Sequence, residues 1–212
     1  MHTSAMVRMN WFIQNYVPPT ALNKKIRVLD VGAYNVNGCY RDLFAQYPNV
    51  EYVGLDIEAG PNVDVVVNSP YNWDNVEDEA FDFVISGNAF EHIEFPWLTI
   101  KLINQKLKYG GFAAILAPNG GGEHRYPVDC YRYFADGLKA LAKWGGFKVI
   151  NATVAGVPDP SAPKEWDSTF NDAFIVLIKS VEDVDVEKFP RLLHERRITM
   201  IRIAEQLVER AT

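Results

Sequence analysis

Short apolar runs, each bounded by turn residues, recur along the middle of the chain at residues 26–31, 51–57, 63–67, 81–86, 112–117, 147–154 and 173–179. Several are almost continuously apolar, as strands buried on both faces of a parallel sheet must be. Between several of them the period changes to that of a helix. Residues 38–47 read as a helix with Asn37 as N-cap. Residues 96–107 open with Pro96 in the first turn and space Leu98, Leu102 and Leu107 along one side. Residues 131–144 run up to Gly145-Gly146, a helix stop. Strand and helix alternating in this way predict an α/β sheet with helices on both faces. The last two runs lack a helical pattern between them, so they pair as an antiparallel edge hairpin. Two additions flank this core: an amphipathic segment at 6–17 and a longer helix at 187–210, whose stripe of Leu193, Met200, Ala204 and Leu207 serves either packing on the same domain or a homodimer contact. We read residues 1–212 as a single domain.

Composition narrows the setting. With 48% hydrophobic and 23% charged residues the chain is neither disordered nor low in complexity. Twenty-one basic against 27 acidic residues give a net charge of −6, which offers no broad basic face to nucleic acid. No apolar run spans a bilayer, and no secretory signal opens the chain. Cys39 and Cys130 lack paired spacing, which suits a reducing compartment. The expectation is a cytoplasmic protein with neither membrane nor nucleic-acid partner.

Open parallel sheets bind ligands beyond the carboxyl ends of their strands, so the chemistry should follow each run. After the first comes Asp30-Val31-Gly32-Ala33-Tyr34-Asn35-Val36-Asn37-Gly38, where Gly32 allows a sharp bend and close backbone approach. At the end of the second lies Asp56, near the offset at which an acid reaches ribose hydroxyls, with Ile57 beside it able to pack on a base. Only the first glycine of the dinucleotide pattern G-x-G-x-x-G is kept, and Tyr34 would obstruct a pyrophosphate. An adenosine bearing a short charged tail needs less room, and S-adenosylmethionine is such a molecule.

At this point the chain resembles class I S-adenosylmethionine-dependent methyltransferases, in their broad small-molecule branch. Val28-Leu29-Asp30-Val31-Gly32, Gly54-Leu55-Asp56, the segment 80–86, Phe90-Glu91-His92-Ile93, Leu107-Lys108-Tyr109-Gly110-Gly111 and Gly146-Phe147 carry the likeness in order. The resemblance implies a Rossmann-like, doubly wound, seven-stranded sheet in which only the last strand is antiparallel. It implies that Gly32, Ala33, Tyr34 and Asn37 line the methionine part and that Asp56 holds the ribose. Ile57, Asn68 and Ser69 then border the adenine, and Asn88 approaches the sulfonium. Tyr34 and Val36 stand where the family carries further glycines.

Methyl transfer needs alignment above all, and an alcohol acceptor also needs its proton removed. His92 and His124 follow the fourth and fifth runs, so both should reach the ligand edge, and imidazole titrates near neutrality. No H-E-x-x-H, cysteine pair or calcium loop is present, and scattered donors such as Glu91, His92, His124 and Asp129 do not by themselves specify a metal site, so none is expected. The connection 155–172, with Trp166, is long enough to cap the acceptor pocket. The reading is methyl transfer to a small molecule, with oxygen of a hydroxylated or sugar-like acceptor favoured. A nicotinamide (NAD(P))-dependent oxidoreductase and a non-catalytic cofactor-binding protein are the alternatives.

Overall fold

A computed structural model describes residues 3–17, 25–154 and 172–180. It contains all seven expected strands: β1 (Ile26–Val31), β2 (Val50–Asp56), β3 (Val65–Val66), β4 (Phe81–Gly87), β5 (Leu107–Pro118), β6 (Lys148–Val154) and β7 (Asp172–Ile178). They form one sheet in the order β3-β2-β1-β4-β5-β7-β6. β7 runs antiparallel to both of its neighbours while the other pairs are parallel, so the doubly wound sheet with an antiparallel edge pair is as the sequence implied.

The nearly unbroken apolar runs follow from burial on two sides. In β7, Ala173, Ile175 and Leu177 face one core, while Phe174, Val176 and Ile178 face the other. The first core is closed by α2 (Pro96–Lys106) and α3 (Ala135–Gly145) through Ile100, Ile103, Leu138 and Ala142. The second is closed by α1 (Thr3–Tyr16), close to the amphipathic segment expected at 6–17, which lays Ala5, Met9, Phe12 and Ile13 on the sheet. Burying one such side chain fully stabilises by about 1.5–3 kcal/mol.

Two helices differ from expectation, and both differences shape the site. Residues 38–47 do not form an α-helix, and Asn37 caps none; only Arg41–Phe44 close into a 3-10 turn. Pro48 bars helical backbone at Tyr47, and Tyr40, 1% exposed, is drawn against β4, where a Cβ on Gly87 would lie 1.9 Å from its hydroxyl. Too few residues remain for a stable helix. The other helix begins at Ala135 rather than 131. The intervening backbone is bonded elsewhere: Cys130 and Tyr131 donate to the Glu91 carbonyl and Tyr133 donates to that of Pro118. The predicted helix 187–210, residues 155–171 of the predicted cap and Trp166 lie outside the described residues.

Candidate active site

The chain leaves β1 to one side through β2 and β3, then returns to place β4 on the other side of β1. The order of strands therefore reverses between β1 and β4, where an open α/β sheet forms a crevice. A cavity of about 920 Å³ sits there, lined by the ends of β1, β2, β4 and β5. That volume is in the range of sites that enclose a cofactor or drug-sized ligand.

At one end is the bend after β1. Gly32 takes φ +78°, and a Cβ there would lie 2.3 Å from the Ala89 Cβ, so only glycine fits. Gly32 and Ala33 both donate their N–H to the Leu55 carbonyl, at 2.9 and 3.1 Å, which fastens the bend to β2. Tyr34 does not plug the crevice. Its ring folds over Gly60, where a Cβ would come within 2.2 Å of it. Asp56 Oδ2 accepts the Tyr34 N–H at 2.9 Å, and Oδ1 accepts those of Ile57 and Glu58 at 2.7 and 3.2 Å. A carboxylate has about four lone-pair positions, so roughly one stays open toward a ligand. Ile57, 44% exposed, lines the wall beside it.

Asp30 lies beneath the bend, 3% exposed and receiving the Tyr52 hydroxyl. Burial pushes its carboxyl up to about 7 despite that bond. Within the same cavity the Tyr40 hydroxyl, Trp73 Nε1 and Asn88 Oδ1 are buried without a hydrogen-bond partner. Buried polar atoms are rarely left this way without a water or ligand to meet them.

The other end is formed by a 3-10 turn after β4 (Phe90–His92) and the polar loop after β5. His92 and His124 meet edge to face, with ring centroids 5.0 Å apart. The His92 Nδ1 lies 2.6 Å from the Val128 carbonyl, which can only accept, so the proton is on Nδ1 and Nε2 faces inward. His124 Nδ1 lies 3.1 Å from the Gly122 carbonyl, which accepts, and 3.5 Å from Arg132 Nη2, which donates. Arg132 sets this loop. It grips both oxygens of Asp129 at 2.5 and 2.8 Å and the Gly122 carbonyl at 2.7 Å, while Asp129 Oδ2 accepts the His124 backbone N–H at 2.8 Å. The guanidinium holds the Asp129 carboxyl well below the usual carboxylate range.

Glu91 stands behind both imidazoles. It is 0% exposed, and its Oε1 lies 3.6 Å from His92 Nε2 and 3.9 Å from His124 Nε2. Burial raises its carboxyl to about 8, and burial likewise lowers the His92 imidazole.

Gly32, Ala33, Tyr34, Asn37, Asp56, Ile57, Asn88, His92 and His124 therefore line one cavity. Asn68 and Ser69 do not line it; Val67 and Pro70 on either side do, while Ser69 turns its hydroxyl to the Tyr71 N–H. The helix N-terminus expected at Gly38 is absent; the Gly38 N–H is taken by Asn35 Oδ1 at 2.7 Å. Tyr40, Trp73 and the inward orientation of Glu91 were missed. The adjacency of β4 and β5 was the available signal, since it brings the segments after both strands to one place.

Residues 9–152, more than half of the chain, match the family of methyltransferase domains. The chain belongs to this family. It is an S-adenosylmethionine-dependent methyltransferase of class I. Similar solved structures share its fold at low identity. A SAM-dependent methyltransferase from Archaeoglobus fulgidus superposes with a TM-score of 0.55 at 16% identity, covering 81% of this chain and 93% of that one. The 1,6-didemethyltoxoflavin-N1-methyltransferase of Burkholderia thailandensis, solved with its substrate and S-adenosylhomocysteine, gives 0.58 at 17%, covering 84% and 80%. The [4+2]-cyclase SpnF gives 0.60 at 16%, covering 83% and 82%. No curated protein matches the chain. The methyltransferase's crevice fits its cofactor: the bend admits no Cβ, Asp56 keeps one acceptor position open, and unpartnered polar atoms line the wall between.

Proposed function

We propose that this methyltransferase modifies a small molecule, at an oxygen of a hydroxylated or sugar-like acceptor. The observation that carries the reading is the pair of imidazoles, His92 and His124, which line the cavity together with their Nε2 atoms 3.6 and 3.9 Å from Glu91 Oε1. S-adenosylmethionine supplies a methyl carbon already activated by a sulfonium. Asp56 and Ile57 hold the ribose and adenine, and the bend at Gly32 and Ala33 with Tyr34 and Asn37 receives the amino-acid tail. Asn88, at positive φ after β4, faces the reacting region between the two ends. The chain's main contribution is to hold the acceptor oxygen in line with the methyl carbon, which removes up to about 7–11 kcal/mol of barrier in well-oriented cases. The imidazole pair draws off the hydroxyl proton as the carbon–oxygen bond forms and the carbon–sulfur bond breaks.

Among the described residues no helix is long and apolar enough to cross a membrane, and with both cysteines free and a net charge of −6 the reading places the enzyme in the cytoplasm, acting on neither nucleic acid nor membrane. A panel of hydroxylated, amino and carboxylic acceptors with radiolabelled cofactor tests the reading. Methyl ethers should form, and His124→Ala should lower turnover by about 10²–10⁴-fold with S-adenosylhomocysteine affinity kept. Exclusive transfer to nitrogen, or full turnover in His124→Ala, contradicts it.

A further inference from the structure

We propose that Glu91, His92 and His124 form a binding site for a divalent transition-metal cation at the acceptor end of the cavity. One donor atom of each lies within 4.8 Å of those of the other two. The inward atoms are Glu91 Oε1 and the two Nε2 atoms, at 3.6 and 3.9 Å from that oxygen. Ligand atoms around a tetrahedral cation with bonds near 2.0–2.2 Å stand about 3.3 Å apart, so the two imidazoles must each approach Oε1 by a few tenths of an ångström and one another by up to about 1.5 Å to close the set.

Three observations separate this cluster from a chance meeting of polar groups. First, His92 directs Nδ1–H to the Val128 carbonyl, and His124 sets its Nδ1 3.1 Å from the Gly122 carbonyl. The outer bond of His92 fixes the tautomer and ring orientation a ligating histidine needs. Second, both carboxylate oxygens of Glu91 are fully buried with no hydrogen-bond partner, although the residue lines the cavity. A buried acid left so costs stability unless a charge comes to meet it. Third, Asn88 Oδ1, one helical turn's spacing before Glu91, lines the same cavity and is likewise unpartnered, a further oxygen facing the same space.

Two imidazoles and one carboxylate suit zinc, cobalt, nickel or ferrous iron and disfavour magnesium and calcium, which prefer all-oxygen sets. Three protein ligands leave positions open, the pattern of a site that binds a substrate atom rather than one that only braces the fold. The inference deepens the proposed function, rests on it for the class of acceptor, and changes the imidazoles' task there: Nε2 lone pairs held by a cation cannot take the acceptor's proton, so the cation replaces them in that step. An acceptor hydroxyl occupying an open position would lose its proton to solvent more readily, as metal-bound water does.

The full chain, stripped with a chelator, is titrated with cobalt(II) and separately with zinc(II), following cobalt d–d absorption and the heat of zinc binding. One ion per chain is expected, with affinity at least 100-fold weaker in Glu91→Gln, His92→Ala and His124→Ala and unchanged in the surface variant Lys139→Ala. S-adenosylhomocysteine calorimetry on each variant verifies that it folds. Failure of the wild type to bind either ion, or affinity equal to the wild type's in Glu91→Gln and His124→Ala, overturns the inference. Ether formation by chelator-stripped, metal-free protein sinks the cation's role and leaves the proposed function standing; metal-loaded protein that methylates only nitrogen does the reverse.

Discussion

Gly32→Ala perturbs the bend proposed to receive the cofactor's amino-acid tail, and its cost has two parts. The first is conformational: at φ +78° a Cβ crowds the following carbonyl and costs about 1–2 kcal/mol. The second is steric. The new methyl would sit 2.3 Å from the Ala89 Cβ, more than an ångström inside normal contact, and overpacking of that kind costs about 1–3 kcal/mol. Together they predict a loss of about 2–5 kcal/mol. Gly110→Ala separates the parts, because Gly110 has φ +77° but nothing within 4 Å of a built Cβ. It should show the conformational part alone, about 1–2 kcal/mol. Urea unfolding of the three proteins gives both numbers, and S-adenosylhomocysteine titration reads the site. Relief of the clash must push Ala89 and, with it, Asn88 on the cavity wall, so affinity should fall at least tenfold in Gly32→Ala and stay constant in Gly110→Ala. Equal destabilisation by the two substitutions, with affinity kept in both, would refute the claim that the bend after β1 lies too close to Ala89 for any side chain at Gly32.

Two further outcomes follow from charged groups near the site. Asp30, with its carboxyl raised to about 7 against an ordinary value near 4, binds a proton in the folded chain that the unfolded chain has released, so stability should fall as pH rises from about 4 to 7. Asp30→Asn, which still accepts the Tyr52 hydroxyl, should flatten that slope in melting curves; Glu91 titrates in an overlapping window in both proteins, so their difference reports Asp30, and identical slopes would contradict its burial as an acid. Arg132→Lys keeps the charge but loses the two-pronged grip on Asp129 and the bond to Gly122, so turnover should drop about tenfold or more while cofactor affinity holds; loss of both together would mean the loop supports the whole crevice.

The sheet was legible because its physics is local. Strands covered on both faces must be apolar at consecutive positions, and 112–117 and 173–179 show this plainly. That Gly32, Asp56 and the histidines share one cavity was legible because they lie at or just after strand ends, where any open α/β sheet gathers its ligand contacts. The helix at 38–47 was misread because Tyr40, Leu43, Phe44 and Tyr47 do keep helical spacing. Their anchoring came instead from long-range contacts, Tyr40 against Gly87 and the Arg41 guanidinium on Asn62 and Asp64, which no local pattern reveals. The same limit hid Glu91. The sequence offers it only as one scattered donor beside His92, and the pairing of β4 with β5 brings His124 to it.

The central claim is that the crevice beyond β1 and β2 grips the adenosine of S-adenosylmethionine through Asp56, and calorimetry of S-adenosylhomocysteine binding to the wild type and Asp56→Ala tests it most directly. With three of its acceptor positions already held by the backbone of Tyr34, Ile57 and Glu58, the carboxylate has about one strong bond to offer the ribose, worth about 1.5–3 kcal/mol. The wild type should bind one equivalent and Asp56→Ala should bind about 10–150-fold more weakly. Equal affinity in the two proteins would place the ribose elsewhere and contradict the account.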